Sequence, residues 1–130
     1  MGFEYIATAA GGRALAQRLE GEVLVACDLE ADSMHHYREK VCLVQISSPE
    51  ATYVVDPLAC ADMEPLAPMF ADPAVCKIFH GADYDVRSLH RDFGIEINNL
   101  FDTMIACQFL GEPEFGLAAV FCGRSLLSQL

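Results

Sequence analysis

Asp28 and Glu30 are the side chains best placed to do chemistry. They stand two apart at the end of the apolar run from Val23 to Glu30, which reads as a β-strand. Alternation along a strand sends both to one face of a sheet, together with Leu24 and Ala26. Two carboxylates continuing a buried face are costly unless a cation or hydrogen bonds compensate them. A pair of hard oxygen donors suits Mg²⁺ or Mn²⁺. The plainer alternative is a strand that has emerged into solvent by residue 28. Asp85 is the third candidate. It falls in the first turn of a helix predicted from Ala82 to Phe93 and ended by Gly94, where it flanks an apolar stripe of Val86, Leu89 and Phe93. An acidic residue there also suits the helix dipole, and Asp83 is the expected cap.

The elements that must hold these residues follow from pattern. Phe3 to Thr8 is a short strand candidate, and Ala9 to Glu20 carries helix formers with Leu15 and Leu19 at i, i+4 spacing. Val41 to Ser47 and Thr52 to Asp56 read as strands joined by the turn Ser48-Pro49-Glu50-Ala51. The first half is therefore expected to hold three antiparallel strands. Met63 to Phe70 reads as a short helix, Val75 to His80 as a strand and Leu100-Phe101 as a brief strand. Asp102 reads as the N-cap of a helix from Thr103 to Leu110. Alternating strands and helices favour parallel pairing through right-handed crossovers. Gln45 is expected to satisfy a buried hydrogen bond. Phe115 to Phe121 begins like a helix that Cys122-Gly123-Arg124 interrupts.

Composition narrows the class. The chain has 130 residues, 53% of them apolar, which is enough for one domain with one core and rules out a disordered chain. No apolar run approaches the ~18 residues of a membrane-spanning helix, and the first residues lack the pattern of a secretory signal. With 19 acidic and 8 basic residues the net charge is −11, which argues against gripping nucleic acid through a broad basic surface. Bound divalent cations would invert that local electrostatics. The six cysteines form no C-x-x-C pair and mostly lie in apolar runs. They read as buried, reduced and structural, fitting a cytoplasmic protein. His35-His36 and Cys42 lack the spacing of a zinc site.

Four segments in order carry a resemblance. They are Cys27-Asp28-Leu29-Glu30; Tyr37 to Ser47, containing Arg38, Lys40 and Gln45; His80-Gly81-Ala82-Asp83-Tyr84-Asp85 with Val86 to Leu89; and Leu100-Phe101-Asp102-Thr103. Together they resemble ribonuclease D, and more broadly the DEDD 3′→5′ exonucleases with a tyrosine in the third motif. The resemblance implies an RNase H-like α/β fold: a mixed sheet, its first three strands antiparallel and then parallel βα units, flanked by helices. It also implies two-metal hydrolysis of a terminal phosphodiester with two Mg²⁺ or Mn²⁺ ions. Carried over, Asp28 would bridge both metals, Glu30 would hold the first, and Asp85 would support the second through water. His80, Tyr84, Arg38 and Lys40 are the expected substrate contacts, although a lone Lys or Arg is ordinarily a solvated surface residue.

The same resemblance implies a third motif, a Tyr preceding a final Asp on a late helix. The tyrosines here are 5, 37, 53 and 84, and none fits it. The expectation is therefore a partial exonuclease domain over residues 1–120, incomplete at its C-terminus, with a divergent tail at 121–130. The expected substrate is the 3′ end of single-stranded nucleic acid, RNA favoured over DNA. The alternative is a catalytically inactive fragment, or a module that binds nucleic acid or a partner.

Overall fold

The computed structural model describes residues 2–32, 39–60 and 62–117. The elements are β1 (Glu4–Ile6), α1 (Ala9–Arg18), β2 (Leu24–Asp32), β3 (Lys40–Ser47), β4 (Thr52–Val55), α2 (Pro57–Cys60), a 3₁₀ turn (Glu64–Leu66), α3 (Ala67–Ala71), β5 (Cys76–Phe79), α4 (Ala82–Phe93), β6 (Leu100–Asp102) and α5 (Thr103–Phe109). The strands form one sheet in the order β1-β4-β3-β2-β5-β6. The three consecutive strands β2, β3 and β4 pair antiparallel, while β5 and β6 join in parallel beside β2. This is the mixed α/β sheet that the sequence implied. At the far edge β1 pairs parallel with β4, an arrangement that three residues of local pattern do not specify.

One face of the sheet is the core. Val25, Cys27 and Leu29 of β2 stand beside Val44 and Ile46 of β3 and Val55 of β4, all buried. Leu15, Leu19, Leu66 and Phe70 complete the same apolar cluster. Lys77 is in this layer too and is wholly buried. Its ammonium donates to the carbonyls of Asp72 (2.6 Å) and Asn98 (2.9 Å), tying the loops at either side of β5 together. Burial lowers its pKa, with the Asp72 carboxylate opposing that shift.

Several expectations are corrected. The helix expected over Met63 to Phe70 is split into the 3₁₀ turn and α3, and Pro57–Cys60 adds a helix. Asp56 seeds α2 by accepting from Leu58 N and Ala59 N, both at 3.0 Å. Among the cysteines whose side chains are described, Cys27 is buried and Cys42, Cys76 and Cys107 are half-buried; these four are unpaired. Gln45 is exposed rather than buried. The tail 121–130 and the doubtful helix from Phe115 lie largely outside the described residues, as do Tyr37 and Arg38.

The C-terminal end of α4 is fastened to the start of β3. Asp92 Oδ2 accepts from Val41 N at 2.8 Å, while Arg91 Nε donates to Oδ1 at 2.7 Å. The Arg91 hydrogen bond holds the Asp92 carboxyl below its ordinary value; partial burial opposes this and the Val41 amide reinforces it. Replacing Asp92 with Ala leaves a half-buried amide unmet and is expected to cost about 1–2 kcal/mol at pH 7. A group whose folded pKa is depressed contributes stability above its unfolded pKa and loses it as pH falls through the folded one. The difference in melting between wild type and Asp92→Ala should therefore close in acid, below about pH 4. An equal gap at pH 7 and pH 2.5 would contradict it.

Candidate active site

β2 is central in the sheet, and its outward residues are Leu24, Ala26, Asp28 and Glu30. Asp28 and Glu30 are exposed and project from the face opposite the core. Of the two readings of the pair, a continued buried face or a strand emerged into solvent by residue 28, the exposed one holds. β2 is apolar on both sides over its first half, so period-two alternation alone does not say which side the helices cover. Gln45 stands across from Asp28 and Leu43 across from Glu30 in the β2–β3 register, with a shift in register just beyond Glu30. Such an irregularity re-aims the side chains beside it.

The buried carboxylate is Asp85. It is 7% exposed, on the inward side of α4 with Ala82, Ser88 and Leu89. The stripe expected through Val86, Leu89 and Phe93 is rotated: Val86 and Phe93 are only half-buried, and Asp85 lies within the buried side rather than flanking it. Burial pushes its pKa up to about 6, helped by the charges of Asp28, Asp102 and Glu30. β2 and β5 run parallel, so the end of β2 and the start of α4 meet at one edge of the sheet. That edge, outside the carboxyl ends of parallel strands, is where α/β sheets bind ligands.

Asp83, the expected cap of α4, instead pairs with Arg87 at 2.7 Å. Gly81 holds the N-cap position in a left-handed conformation (φ 74°) and has no side chain to offer. Asp102 supplies the cap. Its Oδ1 accepts from Gly81 N (3.0 Å) and Met104 N (2.9 Å), and its Oδ2 from Ala82 N (2.7 Å). Burial acts to raise its pKa, but the backbone donors outweigh that and hold it low.

The expected substrate contacts fare differently. Tyr84 donates its hydroxyl to Glu39 Oε2 at 2.8 Å, bridging α4 to the segment before β3, and that bond raises its pKa. His80 uses both ring nitrogens: Nδ1 is 2.8 Å from Thr103 Oγ1, and Nε2 donates to Phe115 O at 2.8 Å. Lys40 is exposed and borders a cavity of about 720 Å³ whose other walls include Val41, Pro57, Leu58, Arg91 and Phe93; Asp28, Glu30 and Asp85 do not line it. Arg38 lies outside the described residues. Sequence reasoning missed Glu39, and it missed the reach of Asp102 to α4. Both bonds join residues tens of positions apart, and no local spacing signals them.

Cys27 belongs to the core face of β2, next in sequence to Asp28. Burial pushes its thiol up to about 12, the nearby Lys77 opposing and the Asp85 and Asp28 charges reinforcing the shift. It is an inert packing residue, not a nucleophile.

The donor set has the chemistry of a hard-cation site. The charges of Asp28 and Glu30 reach Asp85, and the described residues give Asp28 and Glu30 no ion-pair partner. Divalent cations with a preference for oxygen fit such a set. The three do not by themselves close a cage, since no group of three His, Cys, Asp or Glu among the described residues stands close enough to enclose an ion.

A family model described as 3′-5′ exonuclease matches residues 3–123. The chain belongs to that family. Its sequence is 41% identical over 117 residues to a protein named RRP6-like 3 from Arabidopsis thaliana, covering 89% of this chain and 13% of that protein. Its fold superposes on the catalytic core of RRP6 from Trypanosoma brucei with a TM-score of 0.86 and 42% identity, covering 90% of this chain and 33% of that one. RNase D of Escherichia coli, described as an exoribonuclease involved in structured RNA processing, gives a TM-score of 0.85 at 27% identity, covering 92% and 32%. The chain thus spans about 13% of the length of the curated relatives it matches. The ribonuclease D resemblance read from four short motifs is borne out. Exonucleases of this family use divalent metal ions. No helix among the described residues is long and apolar enough to cross a membrane.

Proposed function

We propose that this chain carries three of the four carboxylates of a metal-dependent 3′→5′ exoribonuclease site: Asp28, Glu30 and Asp85. The observation that supports this best is the placement of Asp85, buried in the first turn of α4 where that helix starts beside β2, the strand that carries Asp28 and Glu30; burial first, then the charges of Asp28, Asp102 and Glu30, raise its pKa. Asp28 and Glu30 would ligate Mg²⁺ or Mn²⁺ directly, and Asp85 would act through water, in keeping with three carboxylates that do not close a cage. When bound, two such ions supply charge neutralisation at the phosphate and lower the pKa of the attacking water.

The residues of the chain then have separate tasks. Asp28 and Glu30, exposed among the described residues, would meet the 3′ end directly. Asp85 is carried, buried, on the first turn of α4. In the reaction, water adds to phosphorus and the bond to the 3′ oxygen of the preceding nucleotide breaks. A nucleoside 5′-monophosphate leaves, and the shortened strand keeps a 3′ hydroxyl. Single-stranded RNA is the favoured substrate, because RRP6 and RNase D relatives at 27–42% identity cover most of this chain. Lys40, exposed at the start of β3, remains a candidate phosphate contact. Tyr84 and His80, engaged within the chain, would shape the site rather than touch substrate. The unpaired cysteines suit a reducing compartment such as the cytoplasm.

The 130 residues contain no tyrosine beyond Tyr84, so they lack the family's third motif. Groups that act as a unit commonly cost ~10³-fold or more when one is removed. The 130-residue chain with Mn²⁺ is expected to trim a 5′-labelled single-stranded RNA at least about 10³-fold more slowly than the same chain joined to a relative's third-motif helix. Equal trimming rates would refute the incomplete-site reading. A gel shift of the RNA with no shortening by either chain would favour a binding module instead.

A further inference from the structure

We propose that Asp102 is a positioning residue for the metal site, a clamp that sets where α4 places Asp85. The proposal rests on the metal-site reading above. Helix α4 has no cap of its own, because its N-cap is Gly81 at a positive φ. The cap is borrowed from a strand neighbour: parallel pairing sets Phe79 opposite Asp102, which brings the Asp102 carboxylate to the point where β5 turns into α4. There it receives Gly81 N and Ala82 N while also capping α5 through Met104 N and Ile105 N (3.3 Å). One carboxylate, 9% exposed, thus fixes two helix starts to each other.

Ala82 is the first residue of α4, and Asp85 is three residues further on, within the same turn. Asp28 and Glu30 are fixed by the central strand, so the placement of Asp85 relative to them depends on the start of α4. A bond from Thr103 Oγ1 to Phe79 O (3.1 Å) and the His80 contacts reinforce the same junction, but the four backbone donors converge on Asp102. Groups that orient metal ligands from behind typically cost 10–100-fold in metal affinity or activity when removed.

The test measures Mn²⁺ affinity of the 130-residue chain by electron paramagnetic resonance, alongside circular dichroism melts. Asp102→Asn keeps an oxygen for α5 but turns an amide donor against the Ala82 N–H. Asp102→Ser caps α5 with a hydroxyl and is too short to serve α4 as well. Both are expected to fold and to bind Mn²⁺ at least about tenfold more weakly. Thr8→Ala is the control: it removes the cap of α1, where Thr8 Oγ1 accepts from Gly11 N at 2.9 Å, and should lower the melting temperature without changing Mn²⁺ affinity. Affinities of both Asp102 variants close to wild type would overturn the proposal. So would an equal loss in Thr8→Ala, or failure of both Asp102 variants to fold, which would make Asp102 a residue of general stability. Failure of the underlying reading looks different: the unsubstituted chain would bind no Mn²⁺, or Asp28→Ala would bind it as tightly as wild type, and either result overturns both.

Discussion

Asp85→Asn is expected to make the metal-free protein more stable at neutral pH while weakening its hold on metal. The folded-state pKa of Asp85, about 6, lies above its ordinary 3.8. An acid whose folded pKa is raised favours the folded state while it is protonated. That contribution is complete below about pH 4 and is lost as pH rises through about 6. At pH 7.5 the ionised, buried Asp85 is therefore a liability, and the neutral isostere removes it. The shift would correspond to ~3 kcal/mol at most; solvent screening of a partly accessible group reduces this to about 1–2 kcal/mol. The Asn variant should melt several degrees higher than wild type at pH 7.5 and at nearly the same temperature at pH 4. Millimolar Mg²⁺ should raise the melting temperature of wild type more than that of the variant, because the variant keeps Asp28 and Glu30 but lacks the charge of Asp85. A variant that melts lower than wild type at both pH values would show that Asp85 is a structural partner in α4 rather than a strained ligand.

Much of this arrangement was legible in the residues, and the parts that were not share a cause. Helix α4 and its end at Gly94 followed from local signals, since a left-handed glycine closes a helix wherever the chain runs. The hairpin of β3 and β4 followed from alternation around a Pro-containing turn. The proposal of Asp28, Glu30 and Asp85 as the chemical residues comes from order and type along the chain. Their environments do not. Alternation put Asp28 and Glu30 on one face, but which face is covered depends on where α1 and α3 pack. Asp85 was read as flanking an apolar stripe because Val86 and Phe93 are the more apolar residues, yet the sheet edge receives the side of α4 that carries Ala82, Asp85 and Leu89. Asp102 was correctly read as a cap for α5, and its bonds to Gly81 and Ala82 arise only when β6 is laid beside β5. Local chemistry is written in sequence; long-range hydrogen bonds appear only after strands are paired.

The largest effect on activity is expected from Asp28→Ala in the chain joined to a third-motif helix. Asp28 stands in the middle of β2, exposed, with both neighbours on its face small or acidic: Ala26 and Glu30. Its removal takes no apolar contact from the core, so folding should be nearly unaffected. Among surface positions without special interactions, substitutions shift stability by about 0.5 kcal/mol or less. The loss should therefore appear in turnover, at ~10³-fold or more, with a metal-free melting temperature no lower than that of wild type, since removing Asp28 also relieves its repulsion of Asp85.

A 5′-labelled single-stranded RNA incubated with this joined chain and its Asp28→Ala variant, with Mn²⁺ and with EDTA, tests the central claim most directly. The account predicts stepwise shortening from the 3′ end by the unsubstituted chain, abolished both by EDTA and by Asp28→Ala. Shortening that persists in the variant, or that EDTA leaves intact, would contradict a metal site built on Asp28, Glu30 and Asp85.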